Sequence, residues 1–225
     1  MTQEPLEQEN NNKEKALSML QAGEWASTRS ASKNPGVGGE RMKFDSRDLA
    51  LTAVFAALYA VINLVQSFSP FGNPSVYGPI QLRIADFLIA LAALLGLPVV
   101  VGVTVGCAVV NVFGPIGFVD VIFGSLANLI AASIVFSLRK HELLACVAGA
   151  LPIGIIVGGG YLWLYFPYQP TELGFLPAWV TTLVSILVSS LITIGVIGYA
   201  VLRILGRRSI IEPLKSHGLK TPPKR

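Results

Sequence analysis

Ile84-Ala85-Asp86-Phe87-Leu88-Ile89-Ala90-Leu91-Ala92-Ala93-Leu94-Leu95-Gly96-Leu97-Pro98-Val99-Val100 opens an apolar run that continues to Phe113. The run is either one membrane span or two, and charge decides between them. As one span, it would put Arg139-Lys140 and the Arg203/Arg207/Arg208 group opposite Arg41, Lys43 and Arg47. If the chain turns back at Gly96-Leu97-Pro98, all three basic groups fall on one side. Basic residues concentrate on the cytoplasmic side of membrane proteins, which favours the turn. Pro98 suits a helix restart, because the first helical position needs no N–H. The segment Ile84–Leu95 is then short, roughly 18 Å at the helical rise. It must begin near Gln81 or be shielded by its neighbours.

Working outward, the predicted helices run over about 48–66, 81–96, 98–113, 119–138, 143–166 and 177–205. This predicts an all-α integral membrane protein, a six-transmembrane-helix bundle within residues 44–208 with both termini cytoplasmic. The loops Ser67–Gln81, Gly114–Phe118 and Pro167–Pro177 would face outward. Composition agrees. Of the 225 residues, 52% are apolar and 13% charged, against about 25% charged in soluble domains. Mean hydropathy is +0.62. Charge collects in residues 1–47 and 203–225, so the stretch between needs a lipid-facing surface.

Residues 1–43 are polar and cannot bury a core, so they are expected to be disordered, with one weak helix over Lys13–Trp25. No apolar segment near the start suggests a signal peptide. Met42-Lys43-Phe44 would also make an ordinary membrane-protein start, which leaves residues 1–41 open to being an upstream extension. Residues 209–225 form a basic tail. The pI near 9.2 reflects orientation signals, and no nucleic-acid partner is expected. Cys107 and Cys146 lie in apolar runs without metal-ligand spacing, so neither a disulfide nor a metal is expected. His141 and His217 sit in charged contexts and read as solvated.

Ionisable groups inside apolar spans are costly, so each is a site candidate. Arg83 and Asp86 stand three apart at the start of the second span and share a face. They form either an ion pair that holds the helix end or part of a ligand cavity. Asp120 opens the fourth span, where the helix dipole favours a carboxylate. Asp120, Gly124 and Asn128 repeat at four-residue steps, and Asn111 ends the preceding span. Asn111, Asp120 and Asn128 together offer the donors and acceptors a polar heterocycle needs. The loop Ser67–Gln81, with Pro70, Gly72, Pro74, Gly78 and Pro79, suits a lid.

Three further features concern packing. Ala53, Ala56, Ala57 and Ala60 give the first span small residues that permit close helix approach, from inside the bundle or from a partner. Gly158-Gly159-Gly160 weakens the fifth span, so something approaches or bends there. Tyr161, Trp163, Tyr165, Phe166 and Tyr168 read as an interfacial aromatic belt rather than a stacking platform. No HExxH, GxSxG or Walker A pattern occurs, so no enzyme activity is expected and the chain cannot energise transport through ATP itself.

The stretch Gln81-Leu82-Arg83-Ile84-Ala85-Asp86 and the longer one from Asn111 through Gly114, Gly117, Asp120, Gly124-Ser125 and Asn128 to Ala132 resemble the QueT family. These are substrate-binding (S) components of energy-coupling factor (ECF) transporters. Asp86 stands where the family usually has Glu, and Asn128 where Thr is common. The resemblance covers roughly Arg47 to Arg203. It implies a six-helix S component in the cell membrane that binds a 7-deazapurine precursor of queuosine or archaeosine near the outer face. It also implies docking through the alanines of the first helix onto an ECF transmembrane coupling protein that carries two ATPase subunits. No cofactor is implied. Arg83, Asp86, Asn111, Asp120 and Asn128 are the expected substrate contacts. Two other readings stay open: an S component for riboflavin, folate or another vitamin, and a membrane enzyme or scaffold with no transported ligand.

Overall fold

The structure, a computed structural model, describes residue 19 and residues 45–68, 82–165 and 177–216. The chain divides into two compact units, Met1–Lys43 and Phe44–Arg225. In the first, only Met19 is described, helical and exposed. The expected disorder of residues 1–43, the weak helix at 13–25, the alternative start at Met42, most of the lid and the loop after residue 166 lie outside the described residues.

Among the described residues, the second unit holds six apolar helices: α1 Ser46–Ser67, α2 Ile84–Leu95, α3 Leu97–Val112, α4 Phe118–Ser137, α5 Glu142–Tyr165 and α6 Ala178–Leu205. A polar seventh, α7 Arg208–Ser216, begins the stretch read as a basic tail. No strand occurs among the described residues. α1, α4, α5 and α6 are each long and apolar enough to cross a membrane, since 20 residues span about 30 Å. Their outward faces carry Val54, Val61, Ile122, Leu151 and Ile192, all exposed. Apolar surface on every side suits lipid and not water.

α1 starts at a capping box. Asp45 accepts from the Ser46 amide at 2.7 Å, and the Asp48 carboxylate returns the contact to the Asp45 amide at 3.1 Å. This closes the first turn where helix N–H groups would otherwise lack partners.

The chain turns back at Gly96. Its φ of +80° and ψ of −146° are readily open only to glycine. α3 restarts at once with Pro98 in its first turn. The Arg83 guanidinium, before the break, touches the Cys107 sulfur, after it. That contact requires a hairpin. The shortness of α2 is accommodated by burial: Leu88, Ile89, Ala90 and Ala92 are almost wholly covered. α2 runs through the centre of the bundle and touches all five other apolar helices.

Glycines set two close approaches. A Cβ on Gly102 would stand 2.8 Å from the Thr52 carbonyl, and one on Gly106 2.6 Å from the Ala56 carbonyl, so α3 presses directly on the α1 backbone. A Cβ on Gly158 would stand 2.8 Å from the Thr182 carbonyl of α6. The approach expected at the three glycines is thus α6 itself. α5 also widens there into π-helical winding over Gly154–Leu162, and α6 does so over Leu191–Gly198. Thr182 Oγ1 donates to the Gly158 carbonyl at 2.8 Å and satisfies one acceptor of the widened segment.

Candidate binding site

Arg83, Asp86, Asn111, Asp120 and Asn128 are all buried, and the structure brings all five into one hydrogen-bonded centre. Each is placed by a local feature. α2 begins as a 3-10 turn over Ile84–Asp86, in which residues three apart eclipse, so Arg83 and Asp86 face the same way. Gln66, near the end of α1, fixes that turn. Its Nε2 donates to the Leu82 carbonyl, and its Oε1 accepts from the Ile84 amide at 3.1 Å. α4 is entered through Gly117 at φ +77°, which sets Asp120 in the first turn. A Cβ on Gly124 would stand 2.6 Å from Asn111 Nδ2 and 3.0 Å from Asp120 Oδ1. Gly124 is therefore the space in which those two side chains meet.

The hub is Tyr59 of α1, fully buried. Its hydroxyl donates to Asp86 Oδ1 at 2.6 Å and accepts from Asn128 Nδ2 at 2.9 Å and Arg83 Nη2 at 3.2 Å. Arg83 and Asp86 are thus joined through a phenol. Arg83 Nη2 and Asn111 Nδ2 both approach Cys107 Sγ, at 3.4 and 3.5 Å. Asn111 Nδ2 donates to the Asp120 carbonyl at 2.9 Å, and the Tyr161 hydroxyl donates to Asp120 Oδ1.

Tyr161 is therefore buried in the centre and not part of the aromatic belt. Its neighbour Trp163 is half-buried and Tyr165 exposed, so the belt reading suits those two better. Sequence reasoning also missed Tyr59, although its spacing from Asn63 and Gln66 puts three polar residues on one stripe of an otherwise apolar helix. Cys107 is buried and bridges Arg83 to Asn111.

Beside the centre, a cavity of about 10 Å3 is lined by Arg83, Asp86, Ile153, Val157, Ile186, Ser189 and Ser190, room for one water molecule. It links the charged start of α2 to the π-wound half of the bundle. Among the described residues, no group of acidic, cysteine or histidine side chains could hold a metal.

The four alanines of α1 divide between two faces. Ala56 lies half-buried beneath Gly106, and Ala60 is half-buried, whereas Ala53 and Ala57 are exposed.

A bundle of lipid-facing helices around a buried, charged hydrogen-bonded centre defines an integral membrane protein with an internal polar site, the class to which small-solute carriers belong. Residues 49–207 match the QueT transporter family, and the chain belongs to that family. One curated relative, described as the queuosine precursor transporter QueT of Lactococcus lactis subsp. cremoris (strain MG1363), is 33% identical over 92 residues. That alignment covers 41% of this chain and 51% of the relative, so the chain spans about half the length of the curated relative it matches. No solved structure matches the chain.

Proposed function

We propose that the protein is the substrate-binding component of an ECF-type importer. It takes up a 7-deazapurine precursor of queuosine or archaeosine from the outer face. The observation that carries this reading is the buried centre of Tyr59, Arg83, Asp86, Asn111, Asp120 and Asn128, placed inside lipid-facing helices. Tyr59 lies eight residues before the end of α1, about 12 Å down the helix. Charged and amide groups at that depth are costly without a polar partner, and a heterocycle rich in donors and acceptors is one. Family membership and the name of the relative supply the ligand class.

Orientation follows from charge. Arg47, Arg139, Arg203 and Arg207 stand at the ends of the bundle remote from the polar centre, and we place that side in the cytoplasm with both termini. The cavity is far smaller than a bicyclic base, so binding has to separate α5 and α6 from Arg83 and Asp86. Single π-turns recur at functional sites, and the two π-wound runs supply a less regular half that can move. Energy would come from two ATPase subunits through a transmembrane coupling protein. The exposed Ala53 and Ala57 offer that protein a close approach.

Calorimetric titration of the purified protein with 7-deazaguanine tests the reading. Asp86→Asn should weaken binding by about 1.5–3 kcal/mol, the range for a hydrogen bond to a charged group. Unchanged affinity in that variant would remove Asp86 from the site. A flavin or folate found on the purified protein by native mass spectrometry would overturn the substrate class.

A further inference from the structure

Among the described residues, four buried side-chain atoms lack a hydrogen-bond partner: Asn63 Oδ1, Arg83 Nε, Asn111 Oδ1 and Ser185 Oγ. Three of them belong to residues bonded to members of the polar centre. Unpaired buried polar atoms are rare, and each calls for an explanation.

Their chemical identity is settled by what the other end of each side chain touches. Asn63 Nδ2 donates to the Tyr59 carbonyl at 3.0 Å. Asn111 Nδ2 donates to the Asp120 carbonyl at 2.9 Å. A carbonyl can only accept, so in both amides the nitrogen is held and the oxygen is left open. Arg83 is a permanent cation, and its Nε–H can only donate. The open set is therefore one donor and two acceptors.

The two aspartates are engaged alike, each through one oxygen. Asp86 Oδ1 already receives the Tyr59 hydroxyl and Asp120 Oδ1 the Tyr161 hydroxyl. Asn63 is fully buried and lies on the α1 stripe between Tyr59, which bonds Arg83, and Gln66, which bonds the backbone on either side of Arg83. It thus faces the start of α2, where the centre begins.

We infer that Asn63 is a ligand-specificity residue, and that the three atoms together recognise the amino-oxo edge of a pyrimidinone ring. Such an edge presents one acceptor, the ring carbonyl, and two donors, the ring N–H and the exocyclic amine. Arg83 Nε donates to the carbonyl. Asn111, which shares the Cys107 sulfur with Arg83, accepts from the adjacent ring N–H. Asn63 accepts from the amine. The inference rests on the proposed 7-deazapurine ligand and adds which edge of it is read and by which new residue. An adenine-like edge would set an amine against Arg83 Nε, two donors facing each other, and should be rejected.

The test is a ligand series on the full-length protein in lipid nanodiscs: 7-deazaguanine, 7-deazahypoxanthine, which lacks the amine, and 7-deazaadenine. The wild-type protein should prefer 7-deazaguanine over 7-deazahypoxanthine by roughly three- to tenfold, the worth of one neutral hydrogen bond. It should not measurably bind 7-deazaadenine. Asn63→Ala should erase that preference, with affinity for 7-deazahypoxanthine changed by less than about twofold. Asn63→Asp, which when protonated still donates to the Tyr59 carbonyl and keeps an acceptor, should retain the preference. Asn111→Ala should weaken both lactams and leave their ratio unchanged. The ratio is read within one variant, so a general loss of stability does not imitate the effect. If 7-deazaguanine binds and Asn63→Ala keeps the wild-type ratio, Asn63 meets only water and the inference falls while the functional reading stands. If the wild-type protein binds no 7-deazapurine, the functional reading falls and the inference with it.

Discussion

One face of α1 carries most of its polar groups and the other is aliphatic, and the two do opposite things. The inward face carries Thr52, Phe55, Tyr59 and Asn63, all buried. It receives the backbone of α3 at Gly102 and Gly106 and supplies the hydroxyl on which Arg83, Asp86 and Asn128 converge. The outward face carries Ala53, Val54, Ala57, Leu58, Val61 and Val65, all exposed. Among the described residues, no side-chain hydrogen bond or glycine contact constrains it in the way the inward face is constrained. The lesson is that in a membrane helix the apolar residues say little about which side is which. Lipid and protein interior are about equally apolar, and only contact with a neighbour distinguishes them.

The largest effect is expected where α3 meets the inward face. In Gly106→Val the new Cβ would stand 2.6 Å from the Ala56 carbonyl and 2.9 Å from Tyr59 Cβ. Neither backbone can yield without moving the hub. The loss of stability should reach about 3 kcal/mol, the upper part of the range for overpacking, and ligand binding should fail with it. Thermal unfolding in detergent and titration check both. A stable variant that still binds would mean that α1 and α3 are not locked together.

Intermediate effects separate the hub from the rim of the centre. Tyr59→Phe strands Asn128 Nδ2, leaves Arg83 Nη2 with the Cys107 sulfur alone, and removes a donor from Asp86. It should cost about 1–3 kcal/mol for the buried groups left unpaired. Tyr161→Phe removes a single bond to Asp120 and should cost about 1 kcal/mol. Equal losses in the two variants, compared by thermal unfolding, would break the distinction between them.

The smallest effect on the fold is expected on the outward face. Ala57→Trp adds bulk where the side chain is exposed, so stability should change by no more than about 0.5 kcal/mol and affinity for 7-deazaguanine should persist. Co-purification with the proposed coupling protein should be lost. A variant that loses stability and ligand together, yet still assembles, would make Ala57 a packing residue and move the partner surface elsewhere.

How much of this was legible in the chain depends on the kind of residue. The apolar stretches and the turn at Gly96 could be read because hydropathy and the placement of basic residues answer to the bilayer, which acts on any sequence alike. Arg83, Asp86 and Asp120 stood out because a charge in an apolar stretch has few harmless explanations. Asn111 and Asn128 followed from their spacing to Asp120. Tyr59 and Asn63 did not stand out, because uncharged polar residues are ordinary in membrane helices. Tyr161 was grouped with Trp163 and Tyr165, since adjacency in sequence does not reveal which aromatic side chain turns inward.

The sequence by itself determined an all-helical membrane protein, its resemblance to a transporter family, and the five charged or amide residues of its polar centre. The first follows from hydropathy over one span and charge at its ends, the resemblance from the stretches Gln81–Asp86 and Asn111–Ala132, and the five residues from the cost of an ion in lipid and from their spacing. Only the tertiary structure decided that Tyr59 joins those five residues, that Tyr161 belongs with them, that Ala56 is covered while Ala57 is not, and that the oxygens of Asn63 and Asn111 are left open. Each of these depends on which helix lies against which and at what distance. Hydrogen bonds between side chains as much as 69 positions apart, as for Asn128 and Tyr59, form only once the bundle has closed, because their strength vanishes within about an ångström of misplacement.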